Sequence, residues 1–252
     1  MSGISPEILN QIRELLDDYF DDITLALLGL SYDEASGDLI FGNSEVSLAS
    51  LYMKALNSTP NEQEEDVLKG ILSVTNDYTE ALKAKTIADV TSDLNNYANG
   101  QSLKKEPIEK EVVEILVEKQ METAENKFKV IASAQSNVTK NMGLISAFTR
   151  MSEENGQEET YVFWRPVPPD DRTSQATFDV HLMPDRITPK VWKTSEINMG
   201  FFKKGDMRPS IFNTSPNCRC AMSLISLGFG FDAAGKTVYK GKGWNEYENQ
   251  RK

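Results

Sequence analysis

Apolar residues recur at intervals of three and four through most of the first 150 residues of this chain, and beyond residue 160 that rhythm stops. A period near 3.6 commits a segment to helix with one greasy face, whereas short apolar runs punctuated by proline and glycine belong to strands and turns. The sequence therefore predicts an α+β chain. Residues 1–158 form an N-terminal all-helical region with long helices, read as an assembly domain. Residues 159–252 form a small C-terminal module of short strands and turns with a polar tail.

The helix starts are marked. Ser5-Pro6-Glu7 offers a capping hydroxyl, proline at the first helical position and an acid in the first turn. Ile8, Ile12, Leu15, Tyr19, Ile23 and Leu27 then make an apolar stripe, with Asp17, Asp18, Asp21 and Asp22 on the solvated side. Residues 32–43 read as a loop or small hairpin before a second helix over about 44–57. Thr59-Pro60-Asn61-Glu62 reads as a capping box for a third helix, which runs to a stop at Asn99-Gly100. A further start near Pro107 leads into a series from Ile108 to Phe148. Unbroken, it would be a helix on the order of 60 Å long. The polar run Ser133 to Asn141, followed by Gly143, predicts a kink or break in it. Gly156 is the candidate cap that closes the helical region.

Past Thr160, strands are expected at 160–167, at 218–227 and as a pair within 229–239 around Asp232-Ala233-Ala234-Gly235. The end after Gly241 has too little apolar surface to pack by itself, which predicts order only against a partner.

Charge divides the chain at the same place. Residues 1–160 hold 13 Lys and Arg against 29 Asp and Glu, a balance of −16, while 161–252 hold 14 against 9, a balance of +5. Phosphate affinity comes from Lys and Arg displacing counterions, so the front half is not a nucleic-acid surface. The longest apolar run, Ile23 to Leu30, is too short to cross a bilayer. The start lacks the basic segment of a secretory signal, so export is not expected. Two cysteines one residue apart make no disulfide framework, and a reducing compartment is the default.

Three constellations suggest chemistry, and each has a plainer account. Gly230 to Thr237 matches the phosphate-loop pattern, but no helix can follow at Val238-Tyr239-Lys240-Gly241, and a hairpin turn at Ala234-Gly235 explains the same residues. Cys218 and Cys220 with His181 lack a fourth zinc ligand of their type, leaving only Asp179 or Asp185 to complete a set; buried small side chains are the better reading. His181 is the only imidazole, in a stretch read as strand or packing. The candidate nucleophiles Ser174, Ser210, Ser215 and Cys218 carry no local signature. No catalytic, cofactor or metal residue is assigned, and the chain is not expected to be an enzyme. The aromatic and basic residues Trp164-Arg165, Arg172, Arg186, Trp192-Lys193, Arg208, Arg219 and Trp244 fit base stacking or protein anchoring, and protein is the preferred partner. Arg165, Trp192 and Trp244 are the interface candidates.

The order of parts in the second half resembles the C-terminal region of the tailed-phage head-morphogenesis, or minor head protein, family. The likeness covers about 119–225. A helix reaching Phe148, the aromatic strand ending at Trp164, then Asp171-Arg172-Thr173 and Pro216-Asn217-Cys218-Arg219-Cys220 match in order and spacing. Three positions depart. The family's Arg-Thr-Glu reads Ser133-Ala134-Gln135, its Cys-x-x-Cys or Ser-x-x-His step reads Ser174-Gln175-Ala176-Thr177, and its histidine before Pro-Asn is Ser215. Each departure removes a polar or metal-binding residue, which suits a structural role. The resemblance implies a virion protein that binds the portal or the major capsid protein inside the head during assembly in the host cytoplasm, with DNA packaging or delivery as an added role. The alternative is a nucleic-acid-binding module using the basic, aromatic C-terminal region.

Overall fold

The computed structural model describes residues 6–28, 30–33, 38–41, 47–101, 110–165, 174–214 and 220–252. In chain order the elements are helix α1 (Pro6–Leu28), strands β1 (Leu30–Asp33) and β2 (Asp38–Phe41), and helices α2 (Leu48–Leu56), α3 (Glu62–Gln101) and α4 (Lys110–Glu154). Strand β3 (Tyr161–Arg165), helix α5 (Gln175–His181) and strand β4 (Val191–Lys193) follow. Strands β5 (Ala221–Leu224), β6 (Phe229–Phe231) and β7 (Thr237–Tyr239) and helix α6 (Glu246–Asn249) complete the chain. Long helices followed by short antiparallel strands make this an α+β protein. No described helix is long and apolar enough to cross a membrane.

The chain forms two compact units, 1–50 with 69–132 and 51–68 with 133–252. The second unit takes in most of α2, the start of α3 and the second half of α4.

In the first unit α1 buries Ile12, Leu16, Phe20, Thr24 and Leu28. This stripe is rotated from the expected one: Leu15 is 51% exposed. Asp17 and Asp21 are not purely solvated either, since the Lys83 ammonium of α3 lies 3.3 and 3.1 Å from their carboxylates. Ile12 and Leu16 pack with Val90, Leu94 and Val117, and Phe20 packs with Leu82 and Ala124. β1 and β2 pair antiparallel as a hairpin, from Leu30 opposite Phe41 to Asp33 opposite Asp38. The predicted start of α4 near Pro107 lies outside the described residues.

In the second unit β4, β3 and β5 form an antiparallel sheet with β3 in the middle. Alternation along β3 sends Val162 and Trp164 to one face and Phe163 to the other. Val162 and Trp164 meet Val138, Ile197, Ile211 and Met222, with Met142, Ile145 and Phe148 of α4 packed against them. Phe163 meets Val191, Ile225, Phe231 and Tyr247 on the opposite side. The sheet therefore lies between α4 and the β6–β7 hairpin with α6.

Three expectations are corrected here. First, α4 is helical straight through Ser133 to Gly143, because tertiary partners outweigh weak propensity. Thr139 donates its hydroxyl to the Gln135 carbonyl at 2.7 Å, Asn141 bonds out of the helix, and Gly143 lets the Tyr52 carbonyl approach. Second, the cap of α3 is Asn61 rather than Thr59. Asn61 Oδ1 accepts from Glu64 N at 2.9 Å and Glu64 Oε2 accepts from Asn61 N at 2.8 Å. Third, the polar tail packs on its own sheet. The Gln250 side chain accepts from Val191 N and donates to the Pro189 carbonyl, each at 2.9 Å, and the Arg251 guanidinium sits 3.5 Å from the Tyr247 ring centre. Gly156, at φ 65°, caps α4 as expected, with Gln157 N reaching the Ser152 carbonyl at 2.8 Å.

Candidate functional site

The polar residues of the second unit gather where β3 and β5 end together, with Arg165 opposite Ala221. Asp171, Arg172 and Thr173, and Pro216, Asn217, Cys218 and Arg219, lie outside the described residues, as does Ser215. The described residues near Trp164 make up the candidate region.

Its centre is a buried amide and indole cluster. Asn141 of α4 donates to the Ile211 carbonyl at 2.8 Å and to Asn213 Oδ1 at 3.1 Å. Trp164 of β3 donates its indole N–H to the same Asn213 oxygen at 2.8 Å. Asn213 holds φ 60°, a conformation Asn tolerates better than most residues. One side-chain oxygen thus ties the helix α4, the strand β3 and the segment at Asn213 together.

His181, at the end of α5, stacks on Trp164 with ring centres 5.2 Å apart and planes 6° from parallel. It is fully buried and neither ring nitrogen has a hydrogen-bond partner. Burial lowers its pKa to about 3, so the ring is a neutral slab near neutral pH. Among the described residues no nucleophile and no orienting group lies in hydrogen-bond reach of either ring nitrogen. The reading of His181 as packing is right in role, but its element is a helix rather than a strand.

Ser174, one of the candidate nucleophiles, caps α5 by accepting from Thr177 N at 3.2 Å. The hydroxyls continue as a chain: Ser174 Oγ lies 3.0 Å from Thr177 Oγ1, which lies 2.9 Å from Thr214 Oγ1. Ser210, another candidate nucleophile, is buried and donates to the Gly200 carbonyl.

Cys218 lies outside the described residues, and the described zinc candidates do not converge. Cys220 is half-buried against the cluster around Trp164. Asp185 accepts from the Ile187 and Thr188 amides, each at 2.9 Å, and from the Thr188 hydroxyl at 2.6 Å. Those hydrogen bonds hold its carboxyl below the usual range despite opposing desolvation. Asp179 accepts from Gln175 at 2.7 Å. Among the described residues no three of His, Cys, Asp and Glu meet at one point.

The phosphate-loop lookalike is a hairpin turn. β6 pairs antiparallel with β7, and Asp232 Oδ1 accepts from the Ala234 and Lys236 amides at 2.9 and 2.8 Å. A phosphate loop needs such amides pointing outward from a helix start. Gly235 is required on two counts: φ is 71°, and a Cβ there would lie 2.5 Å from the Ile187 carbonyl oxygen.

Of the interface candidates, Arg165 is exposed, with its guanidinium 5.9 Å from the Phe163 ring centre. Trp192 and Trp244 are half-buried. Trp192 donates to the Val180 carbonyl at 3.3 Å and carries the Arg251 guanidinium 5.6 Å from its ring. Trp244 donates to Glu246 at 2.7 Å beside the Lys240 ammonium, 6.0 Å away. Both indoles are therefore engaged within their own module.

Sequence reasoning missed Asn141 and Asn213. Asn141 sits three residues after Val138 and four before Ile145, inside the apolar stripe, and a polar residue in that position signals a buried hydrogen bond. No protein-family model, curated protein or solved structure matches the chain.

Proposed function

We propose that the protein is a structural component of a tailed-phage head, docking on the portal or the inner capsid during assembly and acting by binding rather than turnover. One observation carries the reading: the described polar residues around Trp164 bond to one another. Trp164, Asn213 and Asn141 close on themselves and His181 is a stacked neutral ring. Such a centre gives a module fixed shape and offers no reacting group. The order of the family motifs supplies the context. Protein docking is preferred to base stacking because Trp192 and Trp244 already carry cations of their own chain.

The test is to produce the chain with purified portal rings and empty heads and follow co-sedimentation. Stoichiometric association with one of these components is expected. Failure to associate with any of them, with the chain folded, would sink the proposal. Binding to oligonucleotides with a steep salt slope, lost in Arg165→Ala, would favour the nucleic-acid alternative.

A further inference from the structure

Between Ile197 and Ile211, both buried in the core around Trp164, the chain runs out and back as a closed loop. Its base is a parallel bridge between Asn198 and Ser210. There Asn198 N donates to the Pro209 carbonyl and Ile211 N to the Asn198 carbonyl, each at 2.9 Å. Its tip is a tight turn: Lys203 N donates to Asp206 Oδ2 at 2.7 Å, Asp206 N donates to the Lys203 carbonyl at 3.0 Å, and Gly205 sits at φ 96°. The Phe201 ring is fixed against Phe212, with centres 4.1 Å apart.

This fixed frame presents three large apolar side chains to solvent. Met199 is 56% exposed, Phe201 49% and Met207 65%. Around them stand exposed Lys203, Lys204 and Arg208. The loop's single acid, Asp206, is hydrogen-bonded to backbone, and none of the described ion pairs engages the three bases. Met, Phe and Arg are residues enriched in protein interfaces, and a pre-formed loop loses little freedom on docking.

The complementary surface lies on the same chain. On α1 the residues turned away from Ile12, Leu16 and Phe20 are Gln11, Glu14, Leu15, Asp18 and Asp22, all exposed. Leu15 gives this face an apolar edge, and the carboxylates of Glu14, Asp18 and Asp22 run beside it. Lys83 binds Asp17 and Asp21, which border this face along the helix.

We infer that loop 199–208 of one copy docks on the outer face of α1 of a second copy, Met and Phe against Leu15 and the three bases against Glu14, Asp18 and Asp22. The two surfaces differ, so the contact is heterologous and propagates head to tail into a ring or an open chain. This inference stands apart from the portal-binding reading and is tested without any phage component.

The experiment is sedimentation velocity of the full chain over a concentration series in low and high salt. Reversible association is expected, weakening at least about tenfold in Kd when NaCl rises from roughly 50 to roughly 500 mM. Two charge-reversed proteins sharpen the test, one with Lys203→Glu, Lys204→Glu and Arg208→Glu, the other with Glu14→Lys, Asp18→Lys and Asp22→Lys. Each alone should be monomeric. Mixed, they should associate again, since the reversed loop of one fits the reversed helix of the other. That rescue also shows both variants are folded. A monomeric wild type at low salt, association untouched by either reversal, or a mixture that stays monomeric would each overturn the inference.

Discussion

At the scale of single residues the molecule has placed its only imidazole where it cannot titrate without harm. His181 lies flat on Trp164, fully buried, with no acceptor or donor at either nitrogen. Its pKa falls from the ordinary 6.5 to about 3 because burial disfavours the cation. The sign of the pH effect follows. Between those two values the unfolded chain binds a proton that the folded chain refuses, so stability falls as the pH is lowered through that window, by about 1.4 kcal/mol per pH unit. No other histidine competes, and ordinary carboxylates stay largely ionised at pH 5. Denaturant midpoints at pH 7 and pH 5 should thus show the wild type losing about 2 kcal/mol that His181→Phe does not lose. Equal losses in the two proteins would mean that the ring is hydrated or paired in solution.

At the scale of elements, close packing explains both the continuity of α4 and the limits of reading it. Gly143 faces α2 so closely that a Cβ would stand 2.8 Å from both the Tyr52 carbonyl oxygen and the Ala55 methyl. Gly70 of α3, by contrast, has nothing within 4 Å of its missing Cβ. Ala in place of Gly adds about 1 kcal/mol of helix propensity at either site. Only Gly143→Ala also forces two backbones apart, at about 1–3 kcal/mol. Thermal melts should therefore move in opposite directions, upward for Gly70→Ala and downward for Gly143→Ala. A rise in both would mean the two helices are not in contact. The same packing sets what was legible beforehand. Helices with one apolar face, the β6–β7 hairpin and the Gly156 cap follow from local chemistry that residues carry with them. The helix through Ser133 to Asn141 does not, because its stability comes from Ile211 and Asn213, seventy positions further on. The buried seam of α3 was also hidden. It uses Thr75, Thr79 and Thr86, whose hydroxyls bond the preceding turns at 2.8, 2.9 and 2.9 Å and so pass for apolar groups. The tail after Gly241 has few apolar side chains, and only the sheet supplies the amides and rings that hold Gln250 and Arg251.

At the scale of the whole molecule two electrostatic effects oppose each other, and their sizes decide which wins. Attraction is local: Lys83 bridges Asp17 and Asp21, Lys129 lies 2.7 Å from Glu125, and Lys85 lies 3.4 Å from Asp89. Surface pairs of this kind contribute little and weaken as salt rises. Repulsion is spread over the excess of acids in residues 1–160, a balance of −16 that these few bridges do not offset. Like charges crowded into a compact body destabilise it, and screening relieves them once the Debye length falls to about 10 Å, near 0.1 M salt. The net sign is therefore positive. At neutral pH, and at dilutions where the chain is monomeric, calorimetry should record a melting temperature that rises as NaCl increases from roughly 10 to roughly 200 mM. The gain should shrink toward pH 5, because protonation begins to remove the excess negative charge that screening relieves. A melting temperature that drops over the same salt range would show instead that the bridges around Lys83 outweigh the repulsion. The acidic front half would then be held together by its charges rather than in spite of them.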